Sequence, residues 1–294
     1  MKKVLVLILS VAISSLTFSQ ETINSLENGL FNGEYRSYHD NGVIKAEGEF
    51  NGNRRVGTWK IYDESGILRV ERQYIRGDLS SVSWFDAQGN TLNLDVDFFV
   101  PQRDADGLYV YPYIEEADVA YSKRIWRELR PTRQNTSFFV ENILYDDMIE
   151  GIQSGTITAY TEDELQNEYT GSISDLEGLE VKGWRLKEDF YFDNARKQAF
   201  ARVIAFSPIV ELNGEEVTPF WVYYPHVREV FAEMKGREEL IYFHMFNSTI
   251  VKVSNVQDLE LNQQYDEAEM QEAILGLEVE LIETEHDLWI EATN

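Results

Sequence analysis

Three short stretches mark the first third of the chain. YHDNG ends at Gly42, YDESG at Gly66 and FDAQG at Gly89, with spacings of 24 and 23 residues. The 24-residue step also relates Gly33 to Gly57 and Phe50 to Tyr74. The units at Gly33 and Gly57 run Gly-x-aromatic-x-x-aromatic, an Asx/Gly turn, a short apolar strand and a second Gly turn, within a repeat that spans residues 29–91. Asn-Gly pairs at 32–33, 41–42 and 51–52 carry hairpin chemistry, because both residue types accept positive φ. A unit this short cannot bury a face of its own, so copies must stack and share one core.

This pattern resembles MORN-type repeats, in about two and a half copies. The resemblance implies an all-β architecture and says little about function. Its aromatic positions are Tyr35, Tyr38, Trp59, Tyr62 and Trp84. An exposed row of Tyr35, Trp59 and Trp84 beside a groove would suit recognition of cell-wall glycan or lipid.

Charge separates this segment from the rest. Residues 29–91 hold eight Lys/Arg and nine Asp/Glu, whereas residues 92–294 hold 16 basic and 41 acidic residues. A boundary is expected over 92–110, with PQRDADG (101–107) as linker and residues 111–294 as a second domain. RDADG hints at a calcium loop, but position 5 is the apolar Leu108, which offers no side-chain oxygen, so an Asx turn is the expectation. The net charge of −26 argues against nucleic acid and anionic lipid as partners.

The first residues read as a secretory signal over 1–19: Lys2 and Lys3, an apolar run from Val4 to Ile13, and TFS before Gln20. The run is too short to span a bilayer, which needs about 20 apolar residues. After cleavage the chain would carry 24 basic and 52 acidic residues. With no cysteine, an exported chain has neither disulfides nor a lipid-anchor thiol, and core packing must hold it. Direct membrane insertion is not expected.

The second region is expected to alternate helices and strands. In IEEADVAYSKRIWREL, apolar residues at Ile114, Ala117, Tyr121, Ile125 and Leu129 predict a helix stopped by Pro131. SFFVENILYDDMIEGIQSG repeats the pattern at Val140, Leu144, Met148 and Ile152 and ends at Gly155. Thr161 with Glu164 reads as a capping box. A meander follows over Trp184–Phe192, Phe200–Leu212, an Asn213-Gly214 turn and Val217–Tyr224. There Phe220, Val222 and Tyr224 point one way, and Trp221 and Tyr223 the other. HVREVFAEM reads as a helix, as does Asp266 to Leu288. The fold class is therefore α+β: repeat hairpins, then an antiparallel meander flanked by helices.

No chemistry-bearing constellation emerges. The four histidines lack metal-ligand spacing, and no phosphate loop, dinucleotide fingerprint or nucleophile elbow is present. Neither a cofactor nor a metal is expected. Carboxylate pairs Asp146/Asp147 and Asp95/Asp97 fit a glycosidase pattern but are expected by chance among 52 acids. EHDLW (285–289) reads as a helix end, with His286 complementing the dipole and Trp289 sealing the core. From residue 255 onward there are twelve acids and no Lys or Arg, a solvated helix face or a surface for a basic protein. The aromatics remain. Trp126, Trp184, Trp221, Tyr223 and Trp289 are the candidates for core or interface, with Trp221 and Tyr223 open between the two.

Six blocks in order carry a second resemblance: EADVAYSKRIWREL, YDDMIEGIQSGTITAY, LKEDFYFDNAR, FWVYYPHVREVFA, STIVKVSNV and EHDLW. Over residues 112–290 the chain is similar to the GldN/PorN family of type IX secretion and gliding motility in Bacteroidetes. The resemblance implies a periplasmic, non-enzymatic component without catalytic residues. Its implied partners are an outer-membrane lipoprotein (GldK/PorK), further copies in a ring, and the periplasmic arm of the motor proteins (GldL and GldM/PorM). Against the family pattern, the repeat is an appended module, Pro131 interrupts a charged run, and EMKGREEL (233–240) is short.

Overall fold

The computed structural model describes residues 23–27, 29–94, 96, 99–133, 135–232, 241–242, 244, 247–253 and 267–293, with side chains omitted at 230–232 and 267–275. The expected signal segment, Asp95/Asp97 and the 233–240 stretch lie outside the described residues.

The repeat becomes one antiparallel sheet in chain order: β1 (Leu26–Glu27), β2 (Leu30–Tyr38), β3 (Ile44–Asn51), β4 (Arg54–Tyr62), β5 (Leu68–Ile75), β6 (Asp78–Phe85) and β7 (Thr91–Leu92). Two turn types alternate. In the wide turns one aspartate staples the loop: Asp63 Oδ1 accepts from the N–H groups of Ser65 and Ile67, and Asp86 Oδ1 from those of Gln88 and Asn90. The tight turns place Gly52-Asn53 and Arg76-Gly77 at positive φ between paired strand ends, the two-residue geometry that matches strand twist. The second turn residue of the first is Asn53, so the hairpin sits one residue beyond the Asn51-Gly52 pair. Asn32-Gly33 makes no turn; it lies within β2, where Asn32 Oδ1 accepts from Gly52 N–H.

A second antiparallel sheet runs in the order β14–β8–β10–β11–β13–β9, with β12 also on β11. Its strands are β8 (Val119–Leu129), β9 (Ala159–Tyr160), β10 (Val181–Asp193), β11 (Gln198–Leu212), β12 (Glu215–Val217), β13 (Trp221–Tyr223) and β14 (Thr249–Val253). Three α-helices are described: α1 (Ile143–Ser154), α2 (Tyr224–Ala232) and α3 (Glu267–Glu291). Gly155 ends α1 at φ +76, its N–H returning to the carbonyls of Gly151 and Ile152. Pro225 falls in the first turn of α2, where its missing N–H costs nothing. The molecule is mostly β.

Two predicted elements differ. Residues 119–129 form β8, not a helix. Tyr121, Ile125 and Leu129 recur every four residues, a step that suits a helix and also every second inward position of a strand. The intervening inward positions are Lys123 and Arg127, whose charges disguised the period of two. Thr161 starts no helix. Glu162 Oε1 instead accepts from the N–H groups of Gln166 and Asn167, closing a compact turn.

One face of the second sheet packs against α1 and α2 through Leu144, Met148, Trp184, Phe206, Val222 and Val227. Further along that face, Ile125, Phe190 and Ala201 meet Leu277 and Leu281 of α3. The same helix then reaches the repeat sheet. Ile282 joins Phe31, Tyr35, Phe50 and Trp59, while Trp289 joins Ile61, Val70 and Trp84. Thus α3 lies between the two sheets. Each such side chain contributes about 1.5–3 kcal/mol by leaving water.

Candidate interaction surface

The five body aromatics separate into two groups. Trp184 is core: it stacks on Phe206 at 4.8 Å and donates to the Phe138 carbonyl at 3.2 Å. Trp289 is fully buried between α3 and the repeat sheet, with the Arg72 guanidinium 3.5 Å from its ring.

Trp126, Trp221 and Tyr223 lie on the opposite face of the second sheet. Strand register sets Lys252, Trp126, Lys187, Ala205 and Tyr223 side by side in one row across β14, β8, β10, β11 and β13. Cations therefore flank the indole: Lys252 Nζ lies 4.7 Å and Lys187 Nζ 5.4 Å from the Trp126 ring. The loop after β9 leans over this row. Asp163 accepts from Trp126 Nε1 through its carboxylate and from Lys187 Nζ through its carbonyl. Burial raises the Asp163 carboxyl, but hydrogen bonds from neighbours including Trp126, together with the Lys187 ammonium, outweigh it and hold the pKa below the usual value. Trp126 and Trp221 are 9% and 6% exposed, so most of their area is already covered by the chain itself. Tyr223 is half-buried, edge-on to His226 at 4.7 Å. Around the row stand the pairs Arg124–Asp189 at 2.8 Å and Arg130–Glu216 at 2.9 Å.

The repeat aromatics form no exposed row. Tyr35, Trp59 and Trp84 are buried beneath α3, which occupies the face that a glycan or lipid would need. Tyr38 is 52% exposed, and Tyr62 donates its hydroxyl to Glu47 at 2.9 Å. His286 is likewise a correction. It complements no helix dipole but sits fully buried against Tyr35, Trp59 and Trp289, and neither ring nitrogen has a hydrogen-bond partner among the described residues. Burial first, then Arg55, Lys45 and Arg72, push its pKa well below the ordinary histidine value.

Sequence reasoning missed a buried ionic cluster beneath the second sheet. Arg127 donates to Glu188 at 2.9 Å and to Glu278 of α3 at 3.0 Å, and His244 contacts the second Glu188 oxygen. Burial raises the Glu278 carboxyl despite Arg127. The available signal was Glu188 itself, a charge within the alternating series Leu186, Phe190 and Phe192. On the repeat side, Arg55 binds Glu285 of α3 at 2.6 Å, and Lys45 binds Asp287 at 2.8 Å. Asp146 is exposed on α1 and Asp147 half-buried. Asp104 does form the Asx turn expected of RDADG, accepting from the N–H groups of Asp106 and Leu108. Among the described residues, no group of His, Asp and Glu could hold a metal, and no helix is long and apolar enough to cross a membrane.

With this geometry in place, comparison with known families decides the affiliation. The family described as gliding motility associated protein GldN matches residues 114–177 and 169–290. The chain belongs to the GldN family. A MORN repeat variant matches residues 31–51 and 55–76. No curated protein matches the chain. The GldN segment supplies the outer-face row of Trp126 and Tyr223. It also supplies the end of α3 on which the MORN sheet rests.

Proposed function

We propose that this chain is a structural, non-enzymatic component of the type IX secretion and gliding machinery. In this reading it is exported to the periplasm and held at the outer membrane by a GldK/PorK-like lipoprotein. It self-associates in a ring and meets a GldM/PorM-like motor arm. The observation that carries the reading is the GldN match, which extends over most of the chain beyond the repeat. The outer-face row supports it: Tyr223 and Lys252 give amphipathic area and charge on a sheet face over which no helix among the described residues packs, and aromatic anchors with cations suit protein contacts. The acidic body would orient partners by charge. The rival reading, a repeat that recognises glycan or lipid through aromatics, is disfavoured by the burial of Tyr35, Trp59 and Trp84.

The test is affinity capture of the full chain from solubilised envelopes. A stoichiometric lipoprotein is expected, with recovery reduced by Tyr223→Ala. Recovery of glycan alone, or of the unaccompanied monomer, would remove the assembly reading.

A further inference from the structure

A cavity of about 630 Å³ lies beside α3 in the layer between the two sheets. The helix fills part of that layer, and the cavity is what it leaves. Leu79 and Val82 of β6 form one wall, Phe190 and Ala201 of the second sheet another, with Leu281 of α3 and Tyr109 of the linking segment completing it. The volume falls in the range of about 300–1,000 Å³ typical of pockets for small organic ligands.

Three arginines line this space, and their situations differ. Arg55 is neutralised by Glu285, and Arg127 by Glu188 and Glu278. Arg72 is 2% exposed and, among the described residues, has no carboxylate within ion-pair distance. One of its terminal nitrogens donates to the Lys197 carbonyl at 3.1 Å, its face lies on Trp289, and its Nε has no partner. A guanidinium does not shed its proton, so this charge stays buried, stabilised by the Trp84 and Trp289 faces, the Lys197 carbonyl, the Tyr74 side chain and the field of Glu285, which is itself bound to Arg55. A mainly apolar cavity holding one buried cation without an ion-pair partner of its own among the described residues is complementary to a ligand that is apolar over most of its surface and singly anionic at one end.

We propose that this cavity binds a small amphipathic anion, an apolar chain whose carboxylate or phosphate head reaches Arg72. The proposal does not depend on the assembly reading above.

The test is isothermal titration of the full chain with dodecanoate below its micellar concentration, with neutral dodecanol as control. One-site binding of dodecanoate is expected, with dodecanol at least tenfold weaker. A charge-assisted hydrogen bond of about 1.5–3 kcal/mol predicts that Arg72→Gln weakens dodecanoate at least tenfold. Val82→Trp, which leaves Arg72 in place and fills the space, should abolish binding. Co-flotation with phosphatidylglycerol vesicles, lost in both variants, would assign the anion to a lipid bilayer; no co-flotation would assign it to a free amphiphile. Absence of dodecanoate binding, equal binding of dodecanol, or a folded Arg72→Gln that binds like the parent overturns the proposal. Should Arg72→Gln fail to fold, unchanged binding by Val82→Trp overturns it alone.

Discussion

The two sheets bury charge by partly different means. The MORN sheet presents Arg55 and Arg72 inward among indole and phenol rings: Arg72 lies over Trp289 with no carboxylate at ion-pair distance among the described residues, and Arg55, which also pairs with Glu285 of α3, is 5.4 Å from the Trp59 ring and 5.2 Å from that of Trp289. The GldN sheet presents Arg127 inward to carboxylates, one on its neighbouring strand and one on α3. An aromatic face is a weak partner that tolerates small shifts, whereas a carboxylate pair fails once one member is removed. The difference follows from repetition. A short repeat returns the same ring to the same row, while the GldN sheet joins residues far apart in sequence that can be individually complementary.

The largest expected effect breaks the carboxylate side. Arg127→Ala strands Glu188 and Glu278 in the core and should cost about 3–5 kcal/mol, read as a lowered urea midpoint. A parental midpoint would erase the contrast between the sheets. On the aromatic side, a Cβ on Gly48 would stand 2.2 Å from the Trp59 ring. Gly48→Ala should therefore force that ring from its place at about 1–3 kcal/mol, with a change in tryptophan fluorescence. Unaltered fluorescence and stability would show the repeat core to be more yielding than its packing implies.

Acid sharpens the comparison next. His286 stays neutral in the fold because burial and three cations oppose its proton, while the unfolded chain accepts one near the ordinary value of 6.5. Its folded pKa is lowered, so the unfolded state binds more protons. Stability is fully present above pH 6.5 and is lost as pH falls below it, by about 1.4 kcal/mol per unit for one group. His244 is lowered too, by burial first, but Glu188 attracts its proton. Thermal melting from pH 7.5 to 5 should fall, and His286→Phe should flatten that slope more than a substitution at His244. A slope indifferent to His286 would locate the acid sensitivity in the GldN sheet. The smallest effect is expected at the half-exposed Arg124–Asp189 pair. Arg124→Ala should change stability by about 0–1 kcal/mol, and less in high salt.

Much of the fold was legible where local chemistry decides it. The Asp63 and Asp86 turns, the end of α1 at Gly155, and the opposite faces of Phe220 and Trp221 each follow from residues within a few positions. The β8 strand was not legible, because Lys123 and Arg127 stand where a strand pattern calls for apolar residues. Their partners, Glu280 and Glu278, lie about 150 residues away on α3. The candidate site was half visible. Trp126, Trp221 and Tyr223 stood out as residues, but the row that joins Trp126 and Tyr223 with Lys187 and Lys252 exists only through the register of five strands.

By itself, the order of residues determined the stacked hairpins, their two turn types, the acidic body and the family. Tertiary structure alone decided that α3 inserts between the sheets, that the repeat aromatics serve packing, and that Arg72 faces a cavity with no carboxylate at ion-pair distance among the described residues. Turns and periods are set by neighbours along the chain. The burial of a ring or a charge depends on what arrives from hundreds of residues away.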